Sequence, residues 1–167
     1  MYELLAANVL AVAGQLVAIH SSTRNDKKQI LLLQGLSIIL MMSASIILKG
    51  YSALVIDALG LSRNILSYYS VSFKGLPYVY IALSIVFGLY FNNLKIVGLF
   101  PIVANAAQSL IFLNKRSTTK QIQLVSGFAT LCWAVYDFAI MAYASVFFDA
   151  ISAISYFYNA LKKDKDN

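Results

Sequence analysis

Asp57, Arg63, Asp137 and Asp149 stand inside long apolar runs of this chain. A charged side chain near a bilayer centre costs about 2.5–3.5 kcal/mol on insertion scales, so such residues mark ion or solute pathways, proton relays or interhelical ion pairs. Three carboxylates against one guanidinium leave an excess of about two negative charges, which a low-dielectric site does not hold unpaired. Protons, a metal cation or a cationic solute could each neutralise them. Helical spacing gathers further side chains beside the charges. In YSALVIDALGLSRNILSYY it sets Ala53, Asp57, Gly60 and Asn64 on one face, and in YASVFFDAISAISYFYNA it sets Ser145, Asp149, Ser152 and Tyr156 on one. Both faces read small, acidic, small, polar. Trp133 precedes Asp137 by one turn and shares its face, as a pocket wall or a packed site. Arg63 lies six residues from Asp57, about 120° round the helix. It is therefore expected to meet Asp137, Asp149 or a backbone carbonyl on another helix, as a structural ion pair or its equivalent. Gln15 and Gln108, like Gln34 and Asn105, either line a solute path or hydrogen-bond across helices, a bond worth about 0.6 kcal/mol in membrane bundles.

The elements that hold these residues are transmembrane. Of 167 residues, 60% are hydrophobic and 12% charged, with a mean hydropathy of +0.73, whereas soluble domains carry about 25% charged residues. Seven apolar runs follow at about 2–20, 29–49, 51–70, 76–92, 95–114, 122–143 and 145–161, separated by short polar or basic pieces such as SSTRNDKK and NKRSTTKQ. The first run lacks the basic leader of a signal peptide and reads as a retained helix. His20, beside Ser21 and Ser22, reads as interfacial, and the aromatics of LPYVY and SYFY as interface belts. The whole chain, 1–167, is one transmembrane domain. Arg24, Lys27, Lys28, Lys74, Lys115, Arg116, Lys120, Lys162, Lys163 and Lys165 fall on one side of seven spans and only Lys49 and Lys95 on the other. By the positive-inside rule the N-terminus is out and the C-terminus in.

An odd number of spans suits a triplet, a linker helix and a second triplet in the same orientation. The triplets are about 2–70 and 95–161, with the linker about 76–92. A shift of 92 residues lays Gln29 on Gln121, Ile30 on Ile122, Leu32 on Leu124, Gly35 on Gly127, Tyr51 on Tyr143, Asp57 on Asp149 and Ala58 on Ala150, and a shift of 93 lays Gln15 on Gln108. The fold class expected is thus all-α, seven transmembrane helices as a three-one-three parallel repeat.

The early basic loop, GYSALVIDALGLSRN, and CWAVYDFAIMAYASVFFDAISAISYFYNALKK together resemble the YgjV family of bacterial inner-membrane proteins. That resemblance implies an Arg in the third helix, matched by Arg63, an acidic residue in the last helix, matched by Asp149, and an Asn ten residues on, matched by Asn159. Cys132 and Trp133 match its Cys-Trp pair, but Tyr136 and Asp137 stand where a His-Asn pair is expected, which weakens any mechanism built on imidazole. It also implies a place in the bacterial inner membrane. More remotely, the layout is similar to the SWEET and PQ-loop transporters, although Gly14-Gln15 and Ala107-Gln108 lack their prolines.

Enzyme readings fare poorly. The single His leaves no paired-His metal site, the lone Cys132 no Cys-based site, and there is no Gly-rich phosphate loop or Ser-His-Asp set. An intramembrane aspartyl protease would need two aspartates brought together, and no further motif supports one. No cofactor is expected, and the basic loops are too small for nucleic acid. The function expected is a small-solute transporter or facilitator working by alternating access of two three-helix bundles. Its contacts are Gln15, Asp57, Asn64, Gln108, Trp133, Asp137, Asp149, Tyr156 and, through the resemblance, Asn159. The competing reading is a non-transporting interaction or assembly protein whose polar residues hold helices together. Partners are the lipid bilayer and an unidentified small solute, with a homo-oligomer left open.

Overall fold

The computed structural model describes residues 2–47, 51–71, 73–92, 94–139 and 142–162, and their regular structure is all α-helical. Seven helices follow one another: α1 (Tyr2–Ser22), α2 (Lys27–Ile47), α3 (Tyr51–Tyr68), α4 (Leu76–Tyr90), α5 (Leu99–Phe112), α6 (Thr119–Ala139) and α7 (Tyr143–Lys162). Lys49, Lys163 and Lys165, counted above for orientation, lie outside the described residues.

Polar caps, rather than the first apolar residue, set where helices begin. Asp26 Oδ2 accepts from the backbone N–H of Gln29 at 3.0 Å, so α2 starts at Lys27 and not at 29. Thr118 and Gln121 cap each other: Oγ1 accepts from Gln121 N–H at 3.2 Å and Oε1 from Thr118 N–H at 3.0 Å, which starts α6 at Thr119 and not at 122. The run 95–114 yields a shorter helix than expected. Asn92 accepts from Leu94 N–H at 2.9 Å and donates to Lys95 O at 2.8 Å, Lys95 takes a left-handed φ of 52°, and α5 begins only at Leu99.

Leu5–Ser22 within α1, all of α2 and all of α6 are long and apolar enough to cross a membrane, while α4 and α5, at 15 and 14 residues, are shorter apolar helices. The side chains are distributed inside out. Leu5, Val9, Leu32, Leu36, Phe128 and Leu131 are exposed, while Gln15, Gln34, Arg63, Asn105, Gln123 and Asp149 are buried. A water-soluble domain does the reverse; a bundle facing hydrocarbon needs its polar groups partnered within.

Successive helices run antiparallel. Ser37 Oγ donates to Gly14 O at 2.8 Å, and a Cβ on Gly14 would come within 3.1 Å of Met41 Cγ, which draws α1 and α2 together. α4 lies antiparallel to both α3 and α5, with Tyr80 against Ser62 at 2.9 Å, Ser84 accepting from Asn105 Nδ2 at 2.9 Å, and Gly88 against Ile102. At Gly88 an added Cβ would sit 2.3 Å from Ile102 Cγ1, so only glycine permits this approach. The remaining six helices close a ring in the order α1, α2, α3, α5, α6, α7 and back to α1, with α4 outside it. Two seams of the ring join parallel helices, α1 with α7 and α3 with α5. The other neighbours in the ring are antiparallel.

Candidate functional site

The ring surrounds a partly open cavity of about 370 Å³, in the range of small-molecule sites and large enough for about twelve waters at ~30 Å³ each. All six ring helices line it and α4 does not. Its floor lies toward the end of the bundle that carries Arg24, Lys28, Lys115 and Arg116. There Gln34 Nε2 donates to Ser126 Oγ at 3.0 Å and to Tyr156 Oη at 2.9 Å, and Tyr156 is hydrogen-bonded to Ser21. Beneath, Ser22 meets Ser155, Gln123 donates to Ser22 O at 3.0 Å and to Arg24 O at 3.2 Å, and Ile30, Leu31, Phe112 and Ile122 form a buried apolar plug. In the other direction the cavity extends to Ala53, Ala142 and Ser145.

Gln15, Asp57, Gln108, Trp133, Asp137, Asp149 and Tyr156 all line this one cavity, as does Arg63. Ala53, Asp57 and Gly60 of one repeat face and Ser145, Asp149, Ser152 and Tyr156 of the other also line it. Two sequence candidates do not. Asn64 is buried behind the wall, its Oδ1 accepting from Arg63 Nε at 3.3 Å and Nη2 at 3.2 Å. Asn159 folds back on its own helix, donating to Ser155 O at 2.8 Å.

The acidic side chains cluster away from the floor. Asp137 and Asp149, on antiparallel α6 and α7, line the same cavity close enough to interact electrostatically, with Ser145 beside them on its wall. Asp149 Oδ1 accepts from Gln15 Nε2 at 3.0 Å, whereas Oδ2 is buried with no hydrogen-bond donor among the described residues. Ser152 Oγ, one turn along α7, is likewise buried without a partner. Trp133 and Tyr136 stand edge to face at 5.7 Å between ring centroids on the adjoining wall.

Arg63 corrects the ion-pair expectation. It is 2% exposed, and its guanidinium is held by neutral groups. Nη1 donates to Asn105 Oδ1 and, at 3.3 Å, to Asn105 O, Nη2 donates to Gln108 Oε1 at 2.9 Å, and the remaining donors go to Asn64. The Phe112 ring lies 4.9 Å from the guanidinium carbon, a cation–π contact. The physical reason is length and direction: α3 and α5 are parallel neighbours, so Arg63 reaches amides at its own depth, whereas Asp137 and Asp149 lie across the ring. Gln34 bonds across helices, one of the two roles expected of it, but sequence reasoning missed Ser126, its partner in the floor. The signal was present, since the shift of 92 makes these two residues equivalent.

Beyond the chain itself, a family model described as Imp-YgjV, bacterial inner membrane protein, matches residues 5–167. No curated protein and no solved structure matches.

Proposed function

The chain belongs to the YgjV family of bacterial inner membrane proteins, and from that premise we propose that it carries a small solute across that membrane by rocking two three-helix bundles, α1–α3 and α5–α7, about this cavity. The observation that carries this reading is the cavity itself: largely apolar in its walls but set with buried polar and charged side chains, ringed by six helices, plugged at one end and acidic toward the other. Two contacts support the repeat. Gln34 bonds Ser126, and Ile30 shares a buried cluster with Ile122; both pairs are equivalent under the shift of 92. Equivalent residues touch where they straddle the axis relating two halves, so both contacts support an axis between α2 and α6. The ring order is also unchanged when α1, α2 and α3 are exchanged for α5, α6 and α7. With the basic connections toward the cytoplasm, the acidic end of the cavity faces outward. The proposed activity is transport, not catalysis, and needs no cofactor or nucleic acid.

Asp57→Cys and Asp149→Cys, each in a Cys132→Ala background, test it. Both are expected to react with water-soluble thiol reagents added outside, and Asp57→Asn and Asp149→Asn to fold yet lose solute flux in liposomes. Folded variants that stay unreactive from both sides would favour the competing reading, a membrane assembly protein whose polar groups are interhelical glue. The bonds of Gln34, Ser21 and Tyr156 are what that reading would build on. Reporter fusions check orientation: cytoplasmic after Asn167 and external near Gly50, two positions outside the described residues. A cytoplasmic signal at Gly50 would overturn the seven-span topology.

A further inference from the structure

The walls near the acidic end of the cavity carry three features that point to one kind of ligand. Asp149 is 4% exposed and Ser152 1% exposed, yet Asp149 Oδ2 and Ser152 Oγ, which both belong to lining residues, have no hydrogen-bond partner among the described residues. They lie three residues apart on α7, about 4.5 Å along the axis, so one small group with several N–H donors spans both. The carboxyl of Asp137 stands beside them, Asp57 is close enough to interact with Asp137 electrostatically, and the Trp133 and Tyr136 rings line the same cavity. Carboxylates call for a cation, unpartnered acceptors for a hydrogen-bond donor, and an aromatic wall for a weakly hydrated charge. A metal ion fits poorly, because no three His, Cys, Asp or Glu side chains among the described residues are placed to hold one.

We propose that this end of the cavity binds an organic ammonium, donating N–H bonds to Asp149 Oδ2 and Ser152 Oγ with its charge between the carboxyls and the Trp133–Tyr136 wall. Arg63 sets the depth of the site. Its guanidinium lines the same cavity with every donor already engaged by neutral oxygens, so it repels a cation without offering an anion a place. The ammonium is thereby held at the acidic end, and release toward the floor requires the ring to rearrange. The inference rests on the cavity of the transport reading and names the class of solute it takes.

Trp133 is the only tryptophan, so emission from the intact protein in nanodiscs reports on this wall directly. Titration with ethylammonium is expected to change that emission saturably. Tetramethylammonium, which has no N–H, should bind about tenfold more weakly or worse, since a hydrogen bond to a charged group is worth about that factor. Sodium and acetate at matched ionic strength should do nothing. Asp149→Asn keeps the shape and should abolish the response, while Ser152→Ala, a milder change, should weaken it about tenfold. Should Asp149→Asn fail to fold, Ser152→Ala and the ligand series still decide. The proposal is overturned if the folded protein gives no saturable response to ethylammonium, or if sodium or tetramethylammonium responds equally. Ethylammonium binding without flux of any amine would remove the transport reading and leave this site standing; flux of another solute with no ammonium binding would do the opposite.

Discussion

The two parallel seams of the ring hold opposite charges with the same kind of side chain. Where α1 meets α7, Gln15 turns its Nε2 toward the carboxylate of Asp149; where α3 meets α5, Gln108 turns its Oε1 toward the guanidinium of Arg63. A carboxamide presents a donor and an acceptor on one planar group, so a glutamine suits either sign, and the two seams differ in charge while using the same kind of side chain. The seams differ in how fully the charge is met. Arg63 has all its donors engaged, while Asp149 keeps one oxygen without a donor among the described residues. A satisfied charge fixes a seam; an unsatisfied one is available to a ligand.

The largest test of that contrast removes the satisfied charge. Arg63→Ala strands acceptors on Asn64, Asn105 and Gln108 and is expected to lower stability by about 3 kcal/mol or more, read by thermal unfolding in detergent. Arg63→Lys should recover little, since one ammonium cannot reproduce a planar fork bonded to three residues. Coupling in a double-mutant cycle is expected with Gln108 and not with Asp137; the reverse result would restore the ion pair. Next comes a paired reversal of sign. Gln15→Glu sets a third carboxyl beside Asp149 and should destabilise by about 2 kcal/mol. Gln108→Glu gives Arg63 a carboxylate and should stabilise by about 1 kcal/mol. Shifts of one sign in both seams would end the comparison. Smaller still, Tyr156→Phe in the first seam and Ser67→Ala, whose hydroxyl donates to Phe112 O in the second, should each cost about 1 kcal/mol. Unequal losses would show that one seam is slack. At the bottom of the scale, Asn159→Ala should change stability by less than about 0.5 kcal/mol and leave ethylammonium binding intact, because among the described residues its amide bonds only its own helix.

Much of this arrangement was legible in the chain. Bilayer-length apolar runs located the helices, and spacing by three and four placed Asp57 with Gly60 and Asp149 with Ser152 on faces that line one cavity. The starts of α2 and α6 were read late because apolarity begins after their caps; Asp26 and the Thr118–Gln121 box carried the information instead. Of the partners expected for Arg63, the backbone carbonyl on another helix is met at Asn105 O, while the ion pair failed because opposite charges were matched without their depth and their place in the ring, which depend on which helices are neighbours. Asn64 sits on the right face by periodicity, yet Arg63, the bulkier neighbour, takes the cavity wall and draws Asn64 behind it.

The order of synthesis follows from how far apart in the chain these partners lie. Arg63 is separated from Asn105 by 42 residues and from Gln108 by 45, while Gln15 is separated from Asp149 by 134. At about 5–20 residues per second, the guanidinium waits about 2–9 s for its acceptors to be made, and the first helix about 7–27 s for the last. Through the first interval Arg63 has Asn64 alone. Water in the insertion channel or lipid headgroups at its edge must solvate it until α5 arrives.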